Sequence, residues 1–251
     1  MVTGIVSPTR FDAPPVVART SELLDVARVI EGDTWLEPDG LFSTFNCLRP
    51  TIVNWTCPPT GAKDFTTPPS WVDGVKFFAF LGSTCKAAGY NESEAQSEIS
   101  RVFDLNESFA VEENFDGAVL NLAPAVVAGT FAPLSALALL EQDAAENYAG
   151  APTIHMSRAI AALLSGQNVL DVGSNGDLKT KLGSKVVAGG GYSSLTMWAT
   201  GEVTIVRGDK HVEQVFDQVT NEVGTMAERA YIASVDCYSA KVGLAPITAT
   251  P

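Results

Sequence analysis

Between residues 91 and 115 apolar residues recur at helical spacing among many acidic ones. A stripe of this kind predicts an amphipathic helix of about six turns. Asn91 suits an N-cap, and Glu94 three residues later suits a capping box. We expect the acidic residues to lie mostly off the stripe and to face solvent. The stripe consists of Ile99, Val102, Phe103, Phe109 and Ala110.

Three further segments have patterns typical of helices. The apolar run from Asp73 to Ala88 is followed by Gly89, a plausible C-terminal stop. A second helix is predicted over residues 133–148, since Pro133 suits a first turn. Ser157 is placed to cap a third, over residues 158–164.

The last third of the chain changes to a two-residue period. From Leu195 to Ile205 every second residue is apolar or small, which is typical of a strand. Short strands are also predicted at residues 153–156, 185–188, 231–237 and 241–245. Helices followed by paired strands predict an α+β fold.

The first third is organised differently. Residues 1–34 are predicted to form an N-terminal arm with one short docking helix. Residues 35–72 contain six prolines, which oppose a helix and interrupt central strands. We therefore expect a long, projecting β-hairpin or loop.

Aromatic side chains are spread along this predicted loop. A projection cannot bury them in a core that it has left, and buried aromatic residues anchor protein interfaces. We therefore predict an assembly interface here. The alternative is that the segment folds down over its own domain. The interface residues are Phe42, Phe45, Trp55, Phe65 and Trp71.

Charge and composition narrow the possible functions. The 251 residues carry a formal net charge of −13, which argues against tight binding to nucleic-acid phosphates. Only 18% of residues are charged, against about 25% in ordinary soluble domains, so we expect surface to be buried between copies of the chain. The apolar stretch 118–140 is broken by Pro124 and Gly129, so we expect core and no membrane contact.

Candidate chemistry is sparse. Four cysteines at irregular spacing and two histidines do not match a zinc site, and we expect buried free thiols. In residues 173–180 the lysine does not follow the last glycine directly, so the segment lacks the P-loop pattern. His155 is predicted to be a satisfied, half-buried histidine and His211 an exposed one. We assign no catalytic, cofactor-binding or metal-ligating residue, and we expect a structural role and no enzyme activity.

Several stretches resemble a known family. Gly150-Ala-Pro-Thr-Ile-His-Met-Ser157 and the helix after it, Leu182-Gly-Ser-Lys-Val-Val-Ala188, Gly201-Glu-Val-Thr-Ile-Val-Arg207 and Glu228-Arg-Ala-Tyr-Ile-Ala-Ser-Val-Asp-Cys237 are similar to the axial-domain and closing strands of tailed-bacteriophage major capsid proteins. This is the Hong Kong 97 type of fold, which encapsulins share. The resemblance is strongest to proteins of actinobacterial phages and spans residues 39–246 as a succession of elements.

The resemblance implies a domain organisation. Residues 1–34 would be the N-terminal arm and 35–72 the extended loop that lies over a neighbour. Residues 73–122 and 207–251 would form the peripheral domain with its long spine helix. Residues 123–206 would form the axial domain at the capsomer centre.

The resemblance also implies a function and partners. The chain would self-assemble into an icosahedral phage capsid that encloses a double-stranded DNA genome. Copies of the chain in hexamers and pentamers would be its main partners. Scaffolding, portal and decoration proteins are further candidates, and packaged DNA would be contacted only weakly and non-specifically. The chain would assemble in the bacterial host cytoplasm and reside in the virion.

Two other hypotheses stay open. The chain could be a different phage structural subunit (pentamer-specific, decoration or tail-tube) or an encapsulin-type compartment shell. A third class is an α+β enzyme that uses carboxylates. Spherical shells, tubes, and a compact monomer or dimer with substrate turnover would distinguish these hypotheses.

Overall fold

The computed structural model describes residues 16, 18–32, 41–43, 71–86 and 91–246, with only the backbone described at 41–43, 71–73 and 86. Helices and strands both contribute substantially, so the predicted α+β class is confirmed. A 3-10 turn, Leu120–Leu122, follows the longest of the described helices. The α-helices are α1 (Leu23–Val26), α2 (Glu92–Ala118), α3 (Pro133–Asn147) and α4 (Arg158–Gly166).

A five-stranded sheet is built around one long strand. β13 (Glu222–Val235) pairs on one side with β4 (Val75–Lys86) and on the other with β11 (Val203–Arg207) and β12 (His211–Asp217). β1 (Arg28–Glu31) then adds to β11 in parallel.

A seven-stranded sheet forms the second layer, in the order β5-β14-β10-β6-β9-β8-β7. Its pairs are mixed, since β6 runs parallel to β9 and antiparallel to β10. The strands are β5 (Ala125–Phe131), β6 (Thr153–Ser157), β7 (Leu170–Val172), β8 (Leu178–Thr180), β9 (Lys185–Gly189), β10 (Thr196–Thr200) and β14 (Ser239–Leu244).

Two buried clusters join these layers. One lies between the seven-stranded sheet and helices α3 and α4, and it includes Leu140, Ile160 and Met197. The other lies between α2 and both sheets, and it includes Phe115 and Tyr231. Helix α2 therefore connects the two sheets through a shared apolar core.

The long helix is confirmed, although its buried face differs from the prediction. The Asn91 side chain accepts a hydrogen bond from the backbone N–H of Glu94, as expected of an N-cap. Ile99 and Phe103 are buried as predicted, whereas Phe109 is 39% exposed. Glu107 and Glu112 were expected in solvent and are buried instead.

The helix predicted over residues 73–88 is wrong. Residues 75–86 form β4, which pairs with β13 from Val75↔Ala233 to Lys86↔Glu222. Burial alternates along the strand, since Phe77 is buried and Phe80 is exposed. An unbroken apolar run fits helix and strand equally well, and β13 as a partner decides between them.

The single strand suggested for residues 195–205 is also wrong. β10 belongs to the seven-stranded sheet and β11 to the five-stranded sheet. The chain crosses between the sheets at Gly201, where an added Cβ would lie 3.0 Å from the Asp236 Cβ. A two-residue period continues across the break, so the pattern alone could not reveal it.

The other predicted elements are present. Helices α3 and α4 are found where expected, with Pro133 in the first turn of α3. Ser157 occupies the N-cap position of α4, but its side chain does not form the predicted capping hydrogen bond. The strands predicted at 153–156, 185–188, 231–237 and 241–245 correspond to β6, β9, β13 and β14. The short helix predicted in the arm corresponds to α1.

The sheets group two strands differently from the predicted domain ranges. β14 lies within 207–251 but pairs in the seven-stranded sheet, and β11 lies almost wholly within 123–206 but pairs in the five-stranded sheet. The ranges 1–34, 35–72, 73–122 with 207–251, and 123–206 remain predictions.

The cysteines do not all follow the free-thiol expectation. Cys85 is free, as expected, but it is exposed, so the expectation of a buried thiol is wrong for this residue. Cys237 is disulfide-bonded, so the expectation of a free thiol is wrong for this residue.

Candidate subunit interface

The predicted extended loop begins and ends at a small antiparallel ladder. β2 (Leu41–Ser43) pairs with β3 (Trp71–Asp73), with Ser43 opposite Trp71. Only Gly74 separates β3 from β4. Residues 44–70 therefore start and end at one place, next to the five-stranded sheet, as a hairpin-like projection requires.

The structure brings two of the five predicted interface residues near each other in the backbone. Phe42 and Trp71 both lie in this ladder, opposite Val72 and Ser43. Phe45, Trp55 and Phe65 lie outside the described residues. The interface assignment of these residues remains a prediction.

The five-stranded sheet has one face covered by α2. Phe77 stacks on Tyr231 with ring centroids 5.2 Å apart, and Arg229 on the same face bonds Glu107 of α2. Burial of the other odd-numbered β13 residues follows the same alternation, since Thr225 and Ala227 are also buried.

The opposite face carries exposed apolar side chains, and we call it the distal sheet face. It is defined by Phe78, Phe80 and Val215, which are 53%, 72% and 64% exposed. In the register these lie opposite Ala230, Glu228 and Gly224 of β13. Phe78 and Phe80 lie two residues apart on β4, whereas Val215 lies two strands away and four positions along the sheet. Exposed apolar side chains on one face of a sheet are candidates for an interaction surface.

The distal sheet face was missed because its strand was predicted as a helix. A two-residue alternation is present in the run 77–81, but every residue in that run is apolar. The signal that could have found it is the β-prone composition of the run, with three phenylalanines.

A groove of about 450 Å³ lies where β4 meets α2. Small residues of the helix, Ala110, Gly117 and Ala118, line it beside Phe78. Glu113 and Asn114 also line it, so the groove has both apolar and polar walls.

The β12–β13 hairpin ends in a second exposed apolar group. Val219 in its turn is 95% exposed. The Asp217 carboxylate accepts a hydrogen bond from the Val219 N–H at 2.8 Å, and this bond lowers the pKa of Asp217. The turn is therefore ordered by its own backbone contacts while its apolar tip faces outward.

A buried carboxylate locks α2 onto the sheet. Glu107 Oε1 accepts hydrogen bonds from Arg229 Nη1 at 2.5 Å and from the Tyr231 hydroxyl at 2.5 Å. Arg207 lies 3.7 Å from the same oxygen and also pairs with Glu31. This network joins α2, β13, β11 and β1.

A second buried carboxylate holds the N-terminal segment. Glu112 accepts hydrogen bonds from the backbone N–H of Leu23 at 3.0 Å and of Gly191 at 3.1 Å. Burial raises the pKa of Glu112, while these backbone bonds oppose the rise. A Cβ on Gly189 would lie 2.2 Å from the Glu112 carboxyl carbon, so the close approach requires glycine.

Both ring nitrogens of His155 have hydrogen-bond partners, as predicted, and the residue is fully buried instead of half-buried. The Thr200 hydroxyl donates its hydrogen to the Gly201 carbonyl, so His155 Nε2 must donate to Thr200 Oγ1, at 2.9 Å. Nδ1 then accepts from the Tyr192 hydroxyl at 3.2 Å. Burial lowers the pKa of His155 to about 3, so the ring is neutral at physiological pH.

Neither histidine forms part of a catalytic arrangement among the described residues. The hydrogen bonds of His155 go to Tyr192 and Thr200. His211 is exposed, as predicted, and pairs with Glu213 next to it on β12.

Two negative findings concern the described part of the chain only. It contains no group of three or more His, Cys, Asp or Glu residues placed to hold a metal ion. None of its helices combines the length and apolarity that crossing a membrane requires.

The geometry thus has two components. Buried charges hold α2, the sheets and the N-terminal segment together, and apolar side chains are exposed on the distal sheet face and the hairpin tip. Such an arrangement suits contact with another protein surface.

Comparison with known proteins identifies the fold to which this structure is similar. No protein-family model and no curated protein matches this chain. Among solved structures, the capsid of a native GTA particle matches with a TM-score of 0.61 and 13% identity over 96% of each chain. A structure of Mycobacterium phage Adephagia matches at 0.53 and 14% identity, over 100% of this chain and 98% of the other.

The mature capsid of bacteriophage PhiM1 matches at a TM-score of 0.52 and 8% identity, over 97% of this chain and 93% of the other. The chain has the phage capsid fold. At these identities the similarity lies in the path of the backbone, and it confirms the Hong Kong 97-type architecture that the resemblance implied.

Within the phage capsid fold, α2 corresponds to the spine helix expected from the resemblance. Its 27 residues extend about 40 Å at 1.5 Å per residue. The distal sheet face lies on the far side of the sheet from this helix.

Proposed function

We propose that this chain is the shell-building subunit of an icosahedral phage-type capsid that encloses double-stranded DNA. The observation that carries the proposal is the fold match to a GTA capsid over 96% of both chains.

The surface chemistry supports self-association. A closed shell is built from contacts between different patches of identical subunits. The distal sheet face and the tip at Val219 are apolar and exposed, and the low charged fraction of 18% reduces the desolvation cost of such contacts. We infer that copies of the chain, in hexamers and pentamers, are its main partners.

The proposal extends to other partners and to location. We infer that scaffolding, portal and decoration proteins contact the shell, that assembly takes place in the bacterial host cytoplasm, and that the finished protein resides in the virion. We infer no catalytic activity. A net charge of −13 per subunit disfavours tight contact with packaged DNA, so any contact is weak and non-specific.

Purified protein tests the proposal by particle size. We expect spherical particles in the megadalton range by size-exclusion chromatography with light scattering and by negative-stain electron microscopy. Tubes would favour a tail-tube subunit. A compact monomer or dimer over the full concentration range would overturn the proposal.

Two substitutions of Phe80 test whether the distal sheet face is part of the subunit interface. Phe80→Asp places a charge at a 72% exposed position, so we expect folding to be retained and particle yield to fall at least tenfold. Phe80→Tyr keeps the ring and should assemble like the parent. Equal yields from both variants would exclude this face from the interface.

A further inference from the structure

Cys237 lies between β13 and β14, where the chain crosses from one sheet to the other. The crossing at Gly201 runs beside it. The Gly201 N–H donates to the Tyr238 carbonyl at 2.8 Å, and the Asp236 N–H donates to the Glu202 carbonyl at 2.9 Å. Both sequence neighbours of Cys237 are thus held by backbone hydrogen bonds, which limits the positions that its sulfur can take.

A groove of about 530 Å³ opens at Cys237. Its walls combine apolar residues such as Val126 with the polar residues Asp143 and Asn147. Asp143 is fixed in place, because its carboxylate accepts a hydrogen bond from the Tyr238 hydroxyl at 2.9 Å. Mixed walls of this kind suit a segment of chain, whose backbone needs hydrogen-bond partners when it is buried.

Elimination leaves two possible partners for the disulfide-bonded Cys237. The chain has four cysteines, and Cys85 is free. The partner within the chain is therefore Cys47 or Cys57, both of which lie outside the described residues. Either pairing joins the crossing between the sheets to the segment 44–70.

The register of the five-stranded sheet indicates where this segment starts relative to Cys237. Val75 of β4 lies opposite Ala233 of β13, and the two strands are antiparallel. From this pair the chain leads back four residues to Trp71 and forward four residues to Cys237, in the same direction. Ser43 lies opposite Trp71, so the segment begins and ends towards the Cys237 end of the sheet.

Cys47 is the nearer of the two candidate cysteines along the chain. It follows Ser43 by four residues, which span at most about 14 Å. Cys57 is fourteen residues from both Ser43 and Trp71, at the middle of the segment. Closing a short loop costs less entropy than closing a long one, so the effective concentration at Cys237 is higher for Cys47.

We propose that Cys47 and Cys237 of one chain form a disulfide that fixes the residues just after β2 in the groove at Cys237. The two thiols become one S–S bond through two exchanges with a small-molecule disulfide such as oxidised glutathione, which leaves as two small thiols that carry the two protons. The bond attaches residue 47 only, so it leaves residues 48–70 for the predicted contact with a neighbour. Because the bond lies within one chain, this inference holds or fails independently of the proposed function.

Peptide mapping under non-reducing conditions tests the pairing. The protein is equilibrated in a glutathione redox buffer, its free thiols are alkylated, and its peptides are analysed by mass spectrometry. We expect a linked pair of peptides that contain Cys47 and Cys237, in a protein that runs as a single chain on a denaturing non-reducing gel. A link from Cys237 to Cys57, a link between two chains, or a Cys237 that is alkylated or bound to glutathione overturns the proposal.

Two serine variants provide a second readout. We expect dithiothreitol to lower the melting temperature of the parent and of Cys57→Ser by several degrees, because both contain the bond. Cys47→Ser should melt at the lower temperature with or without dithiothreitol. The exposed Cys85 is present in all three proteins, so its own reactions cancel. A response of Cys47→Ser equal to that of the parent contradicts the assignment of Cys47.

Discussion

Glu107 shows how a single buried charge is retained in this fold. A carboxylate removed from water is costly unless its partners replace the lost hydration. Here an arginine and a tyrosine hydroxyl bond one oxygen, and a second arginine lies near it. Desolvation by burial and the neighbouring Glu107 charge raise the pKa of Tyr231 well above its ordinary value, so the hydroxyl remains a donor.

Removing Glu107 leaves the nearly buried Arg229 guanidinium without its main partner. We expect Glu107→Ala to lower the free energy of unfolding by about 3–5 kcal/mol, measured by chemical denaturation. Glu98→Ala is the matched control on the same helix, because Glu98 pairs with Arg101 at the exposed surface. Equal effects of the two substitutions would contradict the role assigned to the buried network.

His155 makes stability depend on pH. Burial lowers its pKa to about 3 in the folded state, against about 6.5 in an unfolded chain. Between these values the unfolded chain binds more protons, so the free energy of unfolding falls as pH is lowered from about 6.5 towards 3. The full loss is on the order of 3–5 kcal/mol.

Comparison with His155→Gln isolates this effect. Glutamine retains an N–H for Thr200 and does not titrate. We expect the unfolding free energy of the variant to fall less steeply between pH 6 and pH 4. The difference in slope should be at most that produced by the uptake of one proton on unfolding. Glu112, whose pKa burial raises, acts in the opposite sense and cancels in the comparison. Parallel curves for the two proteins would show that His155 does not titrate on unfolding.

At the residue scale, the sequence predicts that His155 is hydrogen-bonded, but it does not predict that Glu107 and Glu112 are buried. Acidic residues on a helix are normally solvated. The partners that reverse this for Glu107 and Glu112 are Arg229, Tyr231 and two backbone N–H groups, and all of them lie 79 to 124 residues away in the sequence. No local pattern contains that information.

At the scale of elements, close packing of α2 against the β9–β10 connection depends on glycine. A Cβ on Gly191 would lie 2.6 Å from the backbone nitrogen of Glu113, a contact that cannot be relieved by a side-chain rotation. Gly117, near the end of the same helix, has no atom within 4 Å of an added Cβ.

These two glycines predict opposite effects of one substitution. We expect Gly191→Ala to lower the unfolding free energy by roughly 1–3 kcal/mol through overpacking. Gly117→Ala should raise it by roughly 0.5–1 kcal/mol through helix propensity. Thermal and urea unfolding of both variants measure the difference. Stabilisation by Gly191→Ala would contradict the close approach.

Element prediction succeeded where local signals were sufficient. The Asn91 cap and the apolar spacing predict α2, and the proline in the first turn predicts α3. It failed for β4, where the apolar run fits either structure and distant β13 decides. It also failed at Gly201, where an unbroken two-residue period hides a change of sheet.

At the scale of the whole molecule, the predicted extended loop begins and ends at one place on the folded body. Residues 44–70 leave and return at the β2–β3 ladder, and Ser43 lies opposite Trp71. A two-residue Asn-Gly turn is the preferred connection for two strands in such a register. Replacing 44–70 by Asn-Gly therefore preserves the ladder.

We expect this replacement to separate folding from assembly. The shortened chain should still unfold cooperatively in a denaturant titration, because described residues outside 44–70 form two buried clusters, although it loses both cysteines that could pair with the disulfide-bonded Cys237. It should yield no particles by electron microscopy, because three of the five aromatic residues predicted to contact a neighbour, Phe45, Trp55 and Phe65, are gone. A Gly/Ser segment of the original length, in place of 44–70, tests whether reach alone suffices. Particles from the shortened chain, or its failure to fold, would contradict the assignment of this segment to subunit contact.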